Sequence, residues 1–202
     1  MVRLGQVVRF LRLLALGALV ATSLIACGDR QTPLQFKGTD ITGSSIGGDF
    51  SMSDHTGQTR KLSDFRGKVV LLFFGYTHCP DVCPTTLSEV AAALKVLGPK
   101  ADDVQVLFVT VDPDRDTQAL LAQYVPAFNP LFMALRGSRE ELETTAKLFK
   151  VVYEKNASPS GNYTMNHTAG TFVLDQKGRL RLLIPYGAGV EVLVHDLSQL
   201  LR

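Results

Sequence analysis

The sequence has no tryptophan and only three cysteines in 202 residues. A disulfide-dense scaffold is therefore excluded. The formal net charge is only +2, so no nucleic-acid partner is expected. There is no internal repeat. The near-unbroken apolar run Leu13–Ala26 has 14 residues, short of the roughly 20 that span a bilayer as a helix. What is present is an ordinary globular balance, 46% hydrophobic and 20% charged, which excludes disorder and fibre and fits one folded domain.

The charge is unevenly placed. Residues 1–26 carry Arg3, Arg9 and Arg12 and no acid, which leaves 18 basic against 19 acidic side chains in the remainder. Three arginines before a short apolar run have the form of an exported signal peptide. The run ends Leu24-Ile25-Ala26-Cys27, which resembles a bacterial lipoprotein cleavage box. On that reading residues 1–26 are removed and Cys27 is acylated, and more than one acyl chain suffices for stable membrane attachment. The expected location is the bacterial cell envelope, facing the periplasm or the exterior. Residues 27–49 are rich in Gly, Ser and Thr and are expected to be a flexible tether. Residues 50–202 are then the folded body, long enough to bury a stable core.

Within the body, Phe50–Met52 and Thr59–Leu62 flank the turn Asp54-His55-Thr56-Gly57, an N-terminal β-hairpin. Val69–Phe74 is a continuous apolar run suited to a central strand covered on both faces. Leu87, Val90, Ala91, Leu94 and Leu97 recur at helical spacing up to Gly98-Pro99. Val104–Val111 reads as a second buried strand, Asp116–Tyr124 as a short helix, and Phe132–Leu135 as a short strand. Ser138-Arg139-Glu140-Glu141 is a capping box before another helix. Residues 154–166 are polar, contain Pro159 and Gly161, and are expected to be a mobile loop. Thr171–Leu174 and Leu180–Ile184 flank a turn, and Val190–Leu201 is a closing helix. The order predicts an α/β protein with a central mixed sheet flanked by helices. The late hairpin followed by a helix is what a thioredoxin-like fold requires.

Two cysteines remain once Cys27 is assigned to lipid. They lie in Cys79-Pro80-Asp81-Val82-Cys83-Pro84, between a buried strand and a helix. With Pro84 as the first helical residue, Cys83 is the expected N-cap, and the helix dipole is expected to favour its thiolate. Such a pair in an exported protein can form a structural disulfide, exchange disulfides, or hold a soft metal. Its place at the C-terminal end of a central strand is where α/β sheets put their sites. Three residues separate the cysteines, where exchange enzymes prefer two. Thioredoxin-type enzymes carry a cis-proline opposite their cysteines; the corresponding Met165-Asn166-His167-Thr168-Ala169-Gly170 has no proline and offers His167. Two sulfurs and one imidazole suit copper, whereas zinc wants a fourth ligand.

The segments Asp54–Gly57, Phe74–Pro84 and Val111–Thr117, with His167, resemble the Sco/SenC family of copper chaperones over about residues 50–187. The resemblance implies a thioredoxin-like fold and one copper, Cu(I) or Cu(II), held by Cys79, Cys83 and His167. It implies delivery to the binuclear copper site of cytochrome c oxidase subunit II or a similar cuproprotein. Some members are proposed to act as thiol-disulfide reductases on that subunit's cysteines, so Cys79 and Cys83 are also candidate catalytic residues of a thiol-disulfide oxidoreductase. An extracytoplasmic thiol reductant is the implied second partner. The sequence departs from the family in having Asn166 where Asp is frequent and Tyr76 where Phe is frequent.

Other residues are expected to be bland. His78 is read as solvated or capping, Asp81 as a loop carboxylate or a charge that tunes the thiolates or steers a cationic partner, Met165 as packing, and His55 and His195 as structural or solvated. Asp112, Asp114 and Asp116 make too few oxygens for calcium and read as a turn in which Arg115 pairs a carboxylate. A peroxidase would need a low-pKa cysteine in a peroxide pocket that the sequence does not reveal.

Overall fold

The apolar run Val69–Gly75 is buried at every position, and the rest of the sheet is arranged around it. The computed structural model describes residues 34–157 and 162–202. The leader, Cys27 and residues 158–161 lie outside them. The strands are β1 (Thr39–Asp40), β2 (Ser51–Asp54), β3 (Thr59–Lys61), β4 (Val69–Gly75), β5 (Val104–Thr110), β6 (Met133–Arg136), β7 (Tyr153–Ala157), β8 (Tyr163–His167), β9 (Thr171–Leu174) and β10 (Leu180–Ile184). The helices are α1 (Val82–Leu97), α2 (Gln118–Tyr124), α3 (Arg139–Phe149) and α4 (Val190–Leu200).

The main sheet has the order β1-β10-β9-β4-β5-β6-β2-β3. β4 pairs in parallel with β5, and β5 with β6; β9 joins β4 antiparallel. The sheet is therefore mixed, as expected, and each parallel pair is joined through a helix. Side chains alternate across β4. Phe73 packs against Phe108, and Phe108 against Tyr124 of α2. Phe74 packs on the opposite face, against Phe149 of α3 and Phe172. Burying each such side chain contributes about 1.5–3 kcal/mol. The capping box forms: Ser138 Oγ accepts from Glu141 N at 3.2 Å, and Glu141 Oε2 accepts from Ser138 N at 2.7 Å. At the other end of α3, Lys150 closes the helix at φ 52°.

Two expectations fail. The tether does not extend to residue 49. β1 pairs with β10, Gly47 N donates to Leu148 O at 2.7 Å, and the buried Asp196 carboxylate accepts from Lys37 N and Gly38 N. The short strand covers a sheet edge that would otherwise present unpaired backbone groups. The segment 154–166 is also not a loop along its length: β7 and β8 pair in register from Tyr153↔His167 to Ala157↔Tyr163.

The β2–β3 turn is built on Asp54, which is buried and accepts from Thr56 N, Thr56 Oγ1, Gln58 N and Arg60 Nε. Burial alone would raise its carboxyl, but the bonds from Thr56, Arg60 and Gln58 outweigh burial and hold its pKa at about 2. A folded pKa below the unfolded 3.8 stabilises the fold above that value, and the contribution is lost as pH falls toward 2. Asp54→Asn is expected to lose about 2 kcal/mol at neutral pH, and to lose part of the acid dependence of stability as well. Urea unfolding of both proteins at neutral and acid pH measures it; an unchanged pH slope would contradict the assignment.

Candidate metal centre

The loop after β4, the first turn of α1 and the last residue of β8 bring Cys79, Cys83 and His167 together. One ligand atom from each lies within 4.8 Å of the others. Cys83 Sγ is 3.5 Å from His167 Nε2, and Cys83 N–H points at Cys79 Sγ over 3.5 Å. Both cysteines are free; Cys79 is half-buried and Cys83 buried.

The orientation of His167 follows from its other nitrogen. Nδ1 lies 3.0 Å from the carbonyl oxygen of Thr168, which can only accept. Nδ1 therefore carries the proton, and Nε2 presents its lone pair to the sulfurs. Burial lowers the pKa of His167, against a smaller opposing effect of the Thr168 bond, so the ring is neutral at neutral pH, as a metal ligand must be. Edge contacts from Tyr76 at 5.9 Å and Phe73 at 6.1 Å between ring centroids fix the plane. Tyr76 thus serves as the aromatic wall that a Phe would supply. Asn166 is exposed and is not needed to orient the ring, because Thr168 does so.

The reading of Cys83 as N-cap is corrected. Helix α1 begins at Val82 with Asp81 as its N-cap, so Cys83 sits inside the first turn. Its side chain is in the core, and burial raises its thiol pKa instead of lowering it, with Cys79 and Asp116 adding to the rise. Desolvation here outweighs the helix dipole. Loading a metal on Cys83 therefore displaces a thiol proton.

Gly75 makes the close approach possible. A Cβ there would stand 2.9 Å from Cys83 Sγ and 2.8 Å from both Phe73 and Phe108. No side chain fits between strand and sulfur without displacing one of them. Asp116 holds the cysteine loop from behind: buried, it accepts from Thr77 N at 3.1 Å, and from Thr77 Oγ1 and Thr110 Oγ1 at 2.6 Å each.

The remaining candidates fall where expected. His78 turns toward Thr77 and Asp116, Asp81 accepts from Thr85 Oγ1, and Met165 is packed in the interior. His55 accepts from Ala134 N, and His195 bonds Asp196. Arg115 does pair Asp112. The roles of Gly75, Asp116 and Thr168 were missed. Gly75 is visible in sequence only as a strand end, and the other two act through contacts that spacing does not reveal.

Residues 38–202 match the SCO1/SenC family. The chain belongs to that family. It is 40% identical over 134 residues to the Bos taurus mitochondrial SCO2 homolog, which covers 65% of this chain and 50% of that protein. The chain thus spans half the length of that relative. Among solved structures, Bradyrhizobium japonicum ScoI with copper bound aligns with a TM-score of 0.71 and 37% identity, covering 77% of this chain and 99% of that one. Apo Sco1 from Thermus thermophilus gives 0.73 and 41%, covering 83% and 98%. The fold is thioredoxin-like, as expected from the order of elements. The SCO1/SenC match extends N-terminally to residue 38, in keeping with the early ordered strand.

Proposed function

We propose that this SCO1/SenC protein is a copper chaperone that holds one copper ion through Cys79, Cys83 and His167 and passes it to an exported cuproprotein. The binuclear copper site of cytochrome c oxidase subunit II is the recipient we favour. One observation carries the reading: two free sulfurs and a neutral imidazole with its lone pair turned inward, all within 4.8 Å. Soft thiolates select Cu(I), and imidazole accepts either oxidation state. The copper-bound Bradyrhizobium japonicum structure supports the choice of cargo.

Cys79 is the more accessible sulfur and Cys83 the sealed one, so exchange with a recipient begins at Cys79. His167 sits at the end of a paired strand and leaves later. Oxidation to a Cys79–Cys83 disulfide removes both sulfur ligands, so an extracytoplasmic dithiol must keep the pair reduced. Acylation at Cys27 places the domain on the envelope membrane. Among the described residues, no helix is long and apolar enough to cross one.

The convergence of two free thiols, one of them accessible, also favours thiol-disulfide exchange with a partner's cysteines. The two readings separate at His167. The reduced protein is expected to retain one copper per chain after gel filtration, and the disulfide form almost none. His167→Ala is expected to weaken copper while sparing reduction of a disulfide substrate. Failure of fully reduced protein to retain copper would overturn the chaperone reading in favour of exchange.

A further inference from the structure

His167 lies on a hairpin that the main sheet does not hold. β7 and β8 form a separate two-stranded sheet, and an isolated two-stranded hairpin is marginal in water. Near His167 the two arms are closed on each other by Thr168 N donating to Val152 O, and the His167 ring packs edge-on against Phe73 and Tyr76. At its far end the hairpin is fixed by Arg115. The guanidinium carbon lies 3.5 Å above the Tyr163 ring, and Nη1 donates to Tyr163 O at 2.8 Å. Arg115 Nε donates to Asp112, and the Tyr163 hydroxyl donates to the other oxygen of the same carboxylate at 2.7 Å. The circuit Arg115–Asp112–Tyr163 is closed, and Lys155 also lies against the Tyr163 ring, at 3.7 Å.

Tyr163, Met165 and His167 share one face of β8 by the two-residue period of a strand. The exposure pattern agrees: these three are buried or half-buried, while Thr164 and Asn166 are exposed. The neighbour of Arg115 in sequence, Asp116, holds Thr77 on the cysteine loop. One turn therefore grips both arms of the centre.

Building on the copper reading above, we propose that Arg115 is a positioning residue for His167, setting the imidazole against the two sulfurs by clamping Tyr163. It touches no ligand atom. Its planar fork stacks on the ring and donates in two directions at once, which a lysine ammonium does not reproduce.

The test measures Cu(I) affinity of the reduced protein by competition with a chromophoric chelator, together with the Cu(II) thiolate absorption band. Wild type, Arg115→Ala, Arg115→Lys, His167→Ala and the double variant Arg115→Ala/His167→Ala are compared. Arg115→Ala is expected to weaken copper by roughly 10–100-fold, the usual cost of losing an outer partner of a ligand. Its band should move toward that of His167→Ala, with incomplete recovery in Arg115→Lys. The double variant should lose no more than His167→Ala alone, and amide exchange at 163–167 should quicken in the metal-free protein. Wild-type affinity and band in Arg115→Ala, or losses that simply add in the double variant, would overturn the proposal. Tyr163→Leu removes the same clamp from the hairpin side and is expected to match Arg115→Ala. If Arg115→Ala does not fold, Tyr163→Leu decides, and wild-type affinity there overturns the clamp. A wild type that retains no copper would instead sink the copper reading itself.

Discussion

Cys83→Ser is expected to abolish copper retention while leaving a folded protein. Cys83 is fully buried, so its sulfur is the ligand least open to replacement by solvent or buffer. A hydroxyl is a harder donor and a poor match for Cu(I). The loss should exceed the roughly 100-fold that removal of an outer partner costs. The same substitution replaces a large apolar sulfur with a smaller hydroxyl at a fully buried position, where the O–H faces the acceptor Nε2 of His167 and offsets part of the cost of burying a polar group, about 1–3 kcal/mol. Stability should therefore fall modestly. Cys79→Ser should also lose copper, but with a smaller stability change, because Cys79 is half-buried. Copper per chain after desalting, with thermal unfolding of the same samples, reads both effects. Retention of one copper by Cys83→Ser would contradict the assignment.

The second large effect is on stability. Asp116→Ala removes the acceptor of Thr77 N, Thr77 Oγ1 and Thr110 Oγ1 at a position with no solvent exposure. Water cannot readily replace it there, and the abandoned donors keep their desolvation cost. A loss of about 2–4 kcal/mol is expected. For a chain of this size, each kcal/mol corresponds to about 2–4 °C in Tm. Asp116→Asn keeps one acceptor oxygen but presents an NH2 to the hydroxyls, so it should fall between. Thermal unfolding of the metal-free reduced protein makes the comparison without any contribution from copper. A wild-type Tm in Asp116→Ala would show that the network carries no weight.

What the sequence revealed and what it hid divide along physical lines. The central strand was legible because all of Val69–Phe74 is apolar, and α3 because Ser138 and Glu141 satisfy each other's backbone within four residues. Cys79 and Cys83 were legible as a pair because only three residues separate them, between a buried strand and a helix. The β7–β8 hairpin was not legible. Its residues are mostly polar: β7 shows no alternation, and β8 alternates over only five residues, too few to stand out beside Pro159 and Gly161. The early strand was hidden by glycine: Gly43 and Gly47 have positive φ and shape turns within an ordered segment, yet in composition they look like a tether. The electrostatics of Cys83 were misread because a shift of two residues in the helix start moved the thiol from the helix mouth into the core. Arg115 was recognised as a carboxylate partner, but Tyr163 lies 48 residues away, and spacing carries no information about that contact.

The central claim is a three-ligand centre of two sulfurs and one imidazole. X-ray absorption at the copper edge of the reduced, Cu(I)-loaded protein counts these ligands directly. Two sulfur scatterers and one imidazole per copper are predicted, with the imidazole contribution absent from His167→Ala. A copper environment without sulfur, or one unchanged in His167→Ala, would contradict the account.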